Sequence, residues 1–168
     1  MTGMMYMLSD QRESPIAAGA RPGKVIRPVT RPVPPATRML PELTAENEAY
    51  WTGGAEGELR ICRCQNCRGW IHPPTRACWR CRSRDVGPET ASGRATVAAY
   101  TINHHPWLDG FPPPYIIAIV ELAESPDVRL TTNIVECDIE DVRVGMPVEV
   151  TFEQREDVWL PLFKPVGK

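Results

Sequence analysis

The rhythm of hydrophobic and polar positions changes twice along the chain. Up to about residue 41 there is almost no hydrophobic periodicity, and Pro15, Pro22, Pro28, Pro32, Pro34, Pro35 and Pro41 punctuate the stretch. Such a segment is extended, polyproline-like and poorly packed alone. It is compatible with a free tail, a strap over a partner, or a linker from a preceding domain, so residues 1–40 read as tail or linker. At Leu43 the character shifts. LTAENEAYWTGG offers Thr44 as a helix N-cap, Glu46 and Glu48 for the first turn, and Gly53-Gly54 as a stop, which predicts a short helix within 41–58. Tyr50 and Trp51 sit on that helix. Side chains this large cannot be buried by about two turns of helix, so they pack either on the rest of the chain or on another chain.

From about Ala91 the rhythm is that of strands. RATVAAYTI, PYIIAIVEL and RLTTNIVEC are β-rich runs separated by Pro, Gly and Asp breakers, followed by the alternating PVEVTFEQ and the closing VWLPLFKPV. Five strands at this spacing predict a mainly β protein ending, over 89–168, in a small antiparallel barrel of the OB type. A five-stranded sandwich would be smaller than usual. IEDVRVG, before Met146, supplies the turn between the third and fourth strands, and Pro114 and Pro147 fall at strand starts, where a missing N–H is tolerated.

Composition sharpens this picture. With 42% hydrophobic and 24% charged residues there is enough apolar material for a core, while 18 prolines in 168 residues argue against a helical bundle. No run of about 18 apolar residues is present to span a membrane. The opening MTGMMYML lacks the basic start and long apolar run of a secretory signal, so the expected compartment is the cytoplasm. Thiols stay reduced there, and six cysteines need an explanation other than disulfides.

Four of them have one. ICRCQNCRGWIHPPTRACWRCRS places Cys64 and Cys67 in one C-x-x-C pair and Cys78 and Cys81 in a second, ten residues on. Each tight pair presents two thiolates on one side, and two pairs complete a tetrahedral shell for Zn²⁺. A closed Cys₄ shell leaves no open position for water, so the site reads as structural, and residues 59–88 as a zinc ribbon. The competing reading is a pair of redox dithiols. Cys62, two residues before Cys64, is expected on the other strand face and not as a ligand; His72 is expected in packing or hydrogen bonding; Cys137 is expected to be inert at a strand end. The positions after the second Cys of each pair favour glycine, and here they are Arg68 and Arg82.

The formal net charge of −2 hides a segregation. Residues 60–84 carry seven arginines and no acid, whereas 85–168 carry six basic and fourteen acidic side chains. Either the two blocks neutralise each other or stay solvated, or the arginines form an anion site for phosphate groups. No nucleophile motif, Gly-rich phosphate loop or H-E-x-x-H is present. His104-His105 could serve acid–base chemistry only in an irregular loop, because adjacent strand positions face opposite ways. Ribbons and OB barrels recur in nucleic-acid proteins, but an acidic barrel segment opposes that use.

The string ENEAYWTGGAEGELRICRCQNC, then IHPP, CWRC and an OB-like tail with RVGMPVEVTF, resembles the acyl-CoA-associated rubredoxin-like zinc-ribbon/OB-fold family, long classed as a domain of unknown function. The resemblance covers about 37–168. It implies a non-catalytic subunit required by a thiolase-superfamily enzyme in a hetero-oligomer. The first choice is an aldolase that cleaves a sterol-derived side-chain acyl-CoA by retro-aldol chemistry, and the alternative a thiolase or acyl-CoA synthase scaffold. A stand-alone lyase or hydratase would need a catalytic residue the sequence does not offer. Some members carry a fused hydratase, and the Pro-rich start here resembles a linker from such a fusion. By the same analogy, Tyr50, Trp51, Trp107 and Phe111 contact the partner, and Arg63, Arg68, Arg76 and Arg80 receive the phosphates of coenzyme A, which enters as the partner's substrate.

Overall fold

The ribbon begins with a strand that is buried on both faces. In β1 (Leu59–Cys64) the odd positions Leu59 and Ile61 are buried in one core, and the even positions Cys62 and Cys64 in another, so one strand serves two hydrophobic clusters. β1 pairs with the two-residue β2 (Trp70–Ile71) on one side and with β3 (Val86–Ala91) on the other, both antiparallel. The computed structural model describes residues 39–107 and 111–167; the expected tail up to residue 38 and Leu108–Gly110 lie outside the described residues. Among the described residues no helix is long and apolar enough to cross a membrane.

The strands β4 (Arg94–Asn103), β5 (Tyr115–Leu122), β6 (Ser125–Ile134), β7 (Pro147–Arg155) and β8 (Val158–Pro165) close into a barrel of order β4-β5-β6-β8-β7. All five stand close to the sequence expectation; the third begins four residues earlier, because the hairpin turn at Ala123-Glu124 is tighter than the breakers implied. The inward rows are Val97 on β4, Ile116, Ala118 and Val120 on β5, Val128 and Leu130 on β6, Val148 on β7 and Phe163 on β8. The barrel is not purely antiparallel as expected. β6 and β8 meet in parallel at the single pair Ile134 and Phe163, because these two, the third and fifth barrel strands in chain order, run the same way. Pairing there is short, and the buried Thr132 hydroxyl reaches across to donate to the Pro161 carbonyl at 2.9 Å.

The expected helix exists but is framed differently. α1 runs Glu48–Thr52 with Asn47 as its N-cap residue, whose side chain pins the segment before the helix: Oδ1 accepts from the Thr44 N–H at 2.7 Å and Nδ2 donates to the Glu42 carbonyl at 3.0 Å. Thr44 is therefore not the cap. The α-helix does stop at Gly53, its C-cap, as expected; a 3-10 turn then continues over Gly53–Glu56 to the left-handed Gly57 (φ 73°). Gly54 is small for another reason: a Cβ there would lie 2.4 Å from Trp159 Cβ and 2.6 Å from the Phe152 ring. Helix and turn thus pack closely on Phe152 of β7 and Trp159 of β8, on the strand face that carries Val148 and Phe163.

Candidate metal centre and its surroundings

The two cysteine loops are built alike. In the first, the Arg68 N–H donates to the Cys64 carbonyl at 2.9 Å and the Cys67 N–H points at Cys64 Sγ at 3.5 Å. In the second, the Arg82 N–H donates to the Cys78 carbonyl and the Cys78 N–H to the Ser83 carbonyl, each at 2.8 Å. Both loops turn through a left-handed residue directly after the second cysteine, Arg68 at φ 60° and Arg82 at φ 61°. These are the two positions where glycine was expected. Arginine adopts the same backbone there, at a cost of about 1 kcal/mol each.

The sulfurs converge. Cys64 and Cys81 Sγ lie 3.6 Å apart, Cys67 and Cys78 Sγ likewise 3.6 Å, and all four fall within 4.8 Å of one another. Tetrahedral zinc with Zn–S of about 2.3 Å requires sulfur–sulfur edges of about 3.8 Å, so the donor set fits that ion. These short contacts run between the two loops, and all six cysteines are free thiols, which is the arrangement of a shell and not of two dithiols. At the second loop local dipoles favour the charged form, whereas Cys67, against a backbone bond from Gly69, is pushed up by the neighbouring thiol Cys78, by burial and by the thiols Cys64 and Cys81. The backbone N–H of Ser83 and the Asn66 side-chain amide bring Cys81 down to about 6, and the Cys81 and Arg80 backbone amides lower Cys78.

Cys62 corrects an expectation. Residues two apart on a strand share a face, and Cys62 is buried beside Cys64, Ile71 and Cys78, directly under the shell. Burial pushes its thiol up, against a backbone bond from Thr75, so it is a packing residue of the ribbon core. His72 stands outside the thiol cluster and packs on Tyr50, ring centroids 5.1 Å apart. Burial lowers it from 6.5 to about 4. The unfolded chain therefore takes up a proton that the folded one refuses, and stability falls as pH drops from about 6.5 towards about 4, by up to about 3 kcal/mol. Melting midpoints at pH 7.5 and 5 will show a smaller acid shift for His72→Gln than for the parent; equal shifts would remove His72 from the account.

The aromatic residues divide. Tyr50 is turned into the fold, packed against the barrel core and edge-on to Trp51 at 4.7 Å, and burial raises its hydroxyl above the ordinary value. Trp51 is half-buried, and it lines a 270 Å³ groove with Phe111, Tyr115 and Leu162. Phe111 stacks edge-on against Tyr115 at 4.3 Å. Trp107 is 71% exposed, its indole N–H donating to Asn103 Oδ1 at 2.8 Å and its ring against His105. His104 and His105 are both exposed in that loop. Cys137 is half-buried in the turn after β6, packed against the barrel core.

The four arginines singled out for phosphate are each engaged by acids of this chain. Glu89 takes Arg63 and Arg68, Glu46 takes Arg76, and Asp127 takes Arg80. Arg63 also lies over Trp70 at 4.5 Å. The Glu89 and Asp127 pairs join the basic ribbon to the acidic segment after it, Arg76 reaches back to Glu46 ahead of it, and no property of the sequence spacing announced them.

Known proteins resemble the chain on both halves. Residues 51–87 match the family model described as the ChsH2 rubredoxin-like zinc ribbon domain, and residues 88–153 that of the ChsH2 C-terminal OB-fold domain. A probable enoyl-CoA hydratase alpha subunit of Thermomonospora curvata is 34% identical over 137 residues, 81% of this chain and 42% of the relative. The 3-oxo-4,17-pregnadiene-20-carboxyl-CoA hydratase alpha subunit of Mycobacterium tuberculosis is 33% identical over 131 residues, 78% of this chain and 41% of that one. The chain thus spans about two fifths of the length of these curated relatives. Among solved structures, one described as the Ltp2-ChsH2(DUF35) aldolase superposes with a TM-score of 0.66 at 35% identity, covering 75% of this chain and 98% of the matched one.

Proposed function

The chain belongs to the ChsH2 (DUF35) family of rubredoxin-like zinc-ribbon and OB-fold proteins, and on that premise we propose that it is a non-catalytic subunit supporting a thiolase-superfamily acyl-CoA enzyme. The reading's best candidate for that enzyme is an aldolase performing retro-aldol cleavage of a sterol-derived side-chain acyl-CoA, with a thiolase as the alternative. The observation that carries it is the 98% coverage of a chain from an aldolase assembly at 35% identity. The two hydratase alpha subunits support a further element: a hydratase forms the β-hydroxyacyl-CoA that a carbon–carbon lyase then cleaves.

In this reading Cys64, Cys67, Cys78 and Cys81 hold structural Zn²⁺. The ion supplies no chemistry beyond fixing the ribbon, since all four of its positions are filled by sulfur. Trp51, on the helix bedded against the barrel, and Trp107 and Phe111, from the loop after β4, give the partner aromatic contacts, with Tyr50 holding Trp51 from behind. Large, rigid aromatics of this kind carry binding energy at low entropic cost. Coenzyme A phosphates would have to displace Glu46, Glu89 and Asp127 from Arg63, Arg68, Arg76 and Arg80, so the neutralised arginines favour a structural duty. The test is co-expression with the thiolase-fold aldolase of the same organism. A stable complex is expected, with cleavage activity that disappears when this chain is omitted. Full activity of the enzyme alone, or thioester turnover by this chain alone, would overturn the reading.

A further inference from the structure

Five of the seven arginines of residues 60–84 are spent inside the fold: Arg60 on Glu56 and Glu58, and Arg63, Arg68, Arg76 and Arg80 on the acids named above. Arg82 and Arg84 are exposed and have no acidic partner among the described residues. Both belong to the second cysteine loop, CWRCRSR, which also carries Trp79, 65% exposed. Exposure on that scale leaves a large apolar ring in water, which a partner surface would relieve.

The ring is held ready. Arg80 lies over the Trp79 face at 4.8 Å, and Asp127 of β6 fixes Arg80 in turn. The loop beneath is closed by the Arg82-to-Cys78 and Cys78-to-Ser83 backbone bonds. Little conformational freedom remains to be lost on association, which is what makes an exposed aromatic–arginine cluster an effective anchor. Its charge selects the occupant. Two exposed guanidinium groups on the same short loop as an exposed indole match an apolar seat rimmed by carboxylates. A nucleic acid fits less well, because the barrel adds Glu136, Asp138, Glu140 and Asp141, and because the arginines that would grip a phosphate backbone already hold carboxylates.

We propose that Trp79, Arg82 and Arg84 form the anchor by which the second cysteine loop docks on an acidic, apolar-centred surface of the partner enzyme. This rests on the reading that the partner is a thiolase-fold enzyme, and it adds a contact separate from the helix and the β4–β5 loop. The probe is the purified aldolase from the co-expression above, titrated with the full chain at 50 and 300 mM NaCl. Arg82→Gly is the suitable substitution at φ 61°, since glycine keeps the loop backbone. Combined with Arg84→Gln it is expected to weaken binding by about tenfold at low salt, the gap narrowing at high salt. Trp79→Ala is expected to weaken it by at least about tenfold at both salts. Unchanged zinc content and melting midpoint establish that each variant is folded. Affinities within twofold of the parent for both folded variants sink the anchor while leaving the proposed function standing. An aldolase that does not bind the unaltered chain sinks both. Salt-dependent binding of a single-stranded oligonucleotide that Arg82→Gly/Arg84→Gln abolishes would assign the loop to nucleic acid and overturn the proposal.

Discussion

Cys78→Ser is expected to reduce zinc from one per chain to near zero and to unfold residues 59–91. The ribbon core consists of Cys62, Cys64, Ile71 and Cys78 with Val86 at its side, too little apolar surface to order a three-stranded sheet. Structural zinc contributes about 10–16 kcal/mol in isolated finger peptides, as much as the whole stability of a typical domain. Cys78 is buried and its sulfur is 3.6 Å from Cys67, so a hydroxyl there both lacks the thiolate and leaves a gap in the shell. Cys67→Ser, at the surface side of the same shell, is expected to give the same loss of metal. Elemental analysis and amide chemical-shift dispersion check both. A folded parent protein containing no metal would refute the structural role.

Phe163→Ala is expected to cost about 3–5 kcal/mol, the usual range for removing a buried aromatic ring. Phe163 is 0% exposed and lies where the barrel closes, paired with Val150 of β7 on one side and with Ile134 of β6 on the other. Its carbonyl also accepts from the Val135 N–H at 2.8 Å. The cavity thus opens at the shortest strand pairing, where neighbouring backbone bonds are fewest to resist its spread. Urea unfolding with the zinc site saturated measures the change; a loss below about 1 kcal/mol would mean that the β6–β8 seam relaxes around the hole.

What the sequence made legible follows the range of the interactions. The cysteine loops depend on neighbours three apart, and the strands on alternation over about eight residues, so both were readable locally. The family resemblance rested on the same local strings. The helix stop at Gly53-Gly54 was legible, but the close approach at Gly54 was not, because its need for a bare Cα comes from Trp159 and Phe152, about a hundred residues away in the chain. The pairing of Arg80 with Asp127 and of Arg76 with Glu46 was likewise invisible, and with it the fact that Arg82 and Arg84 are left over. Cys62 is a different case. Strand parity alone puts it on the face of Cys64, so the residue was legible and the opposite face was a misreading of the two-residue repeat.

The double duty of β1 bears on how such proteins are shuffled in evolution. Leu59 and Ile61 insert into the barrel's interior while Cys62 and Cys64 complete the ribbon's, and β3, which pairs along the whole of β1, runs straight across the position where the two family matches meet. A recombination breakpoint there would split a sheet and strip two aliphatic plugs from the neighbour. Gene rearrangements can therefore transplant this pair of modules only as one piece, with cuts tolerated before α1 and after β8.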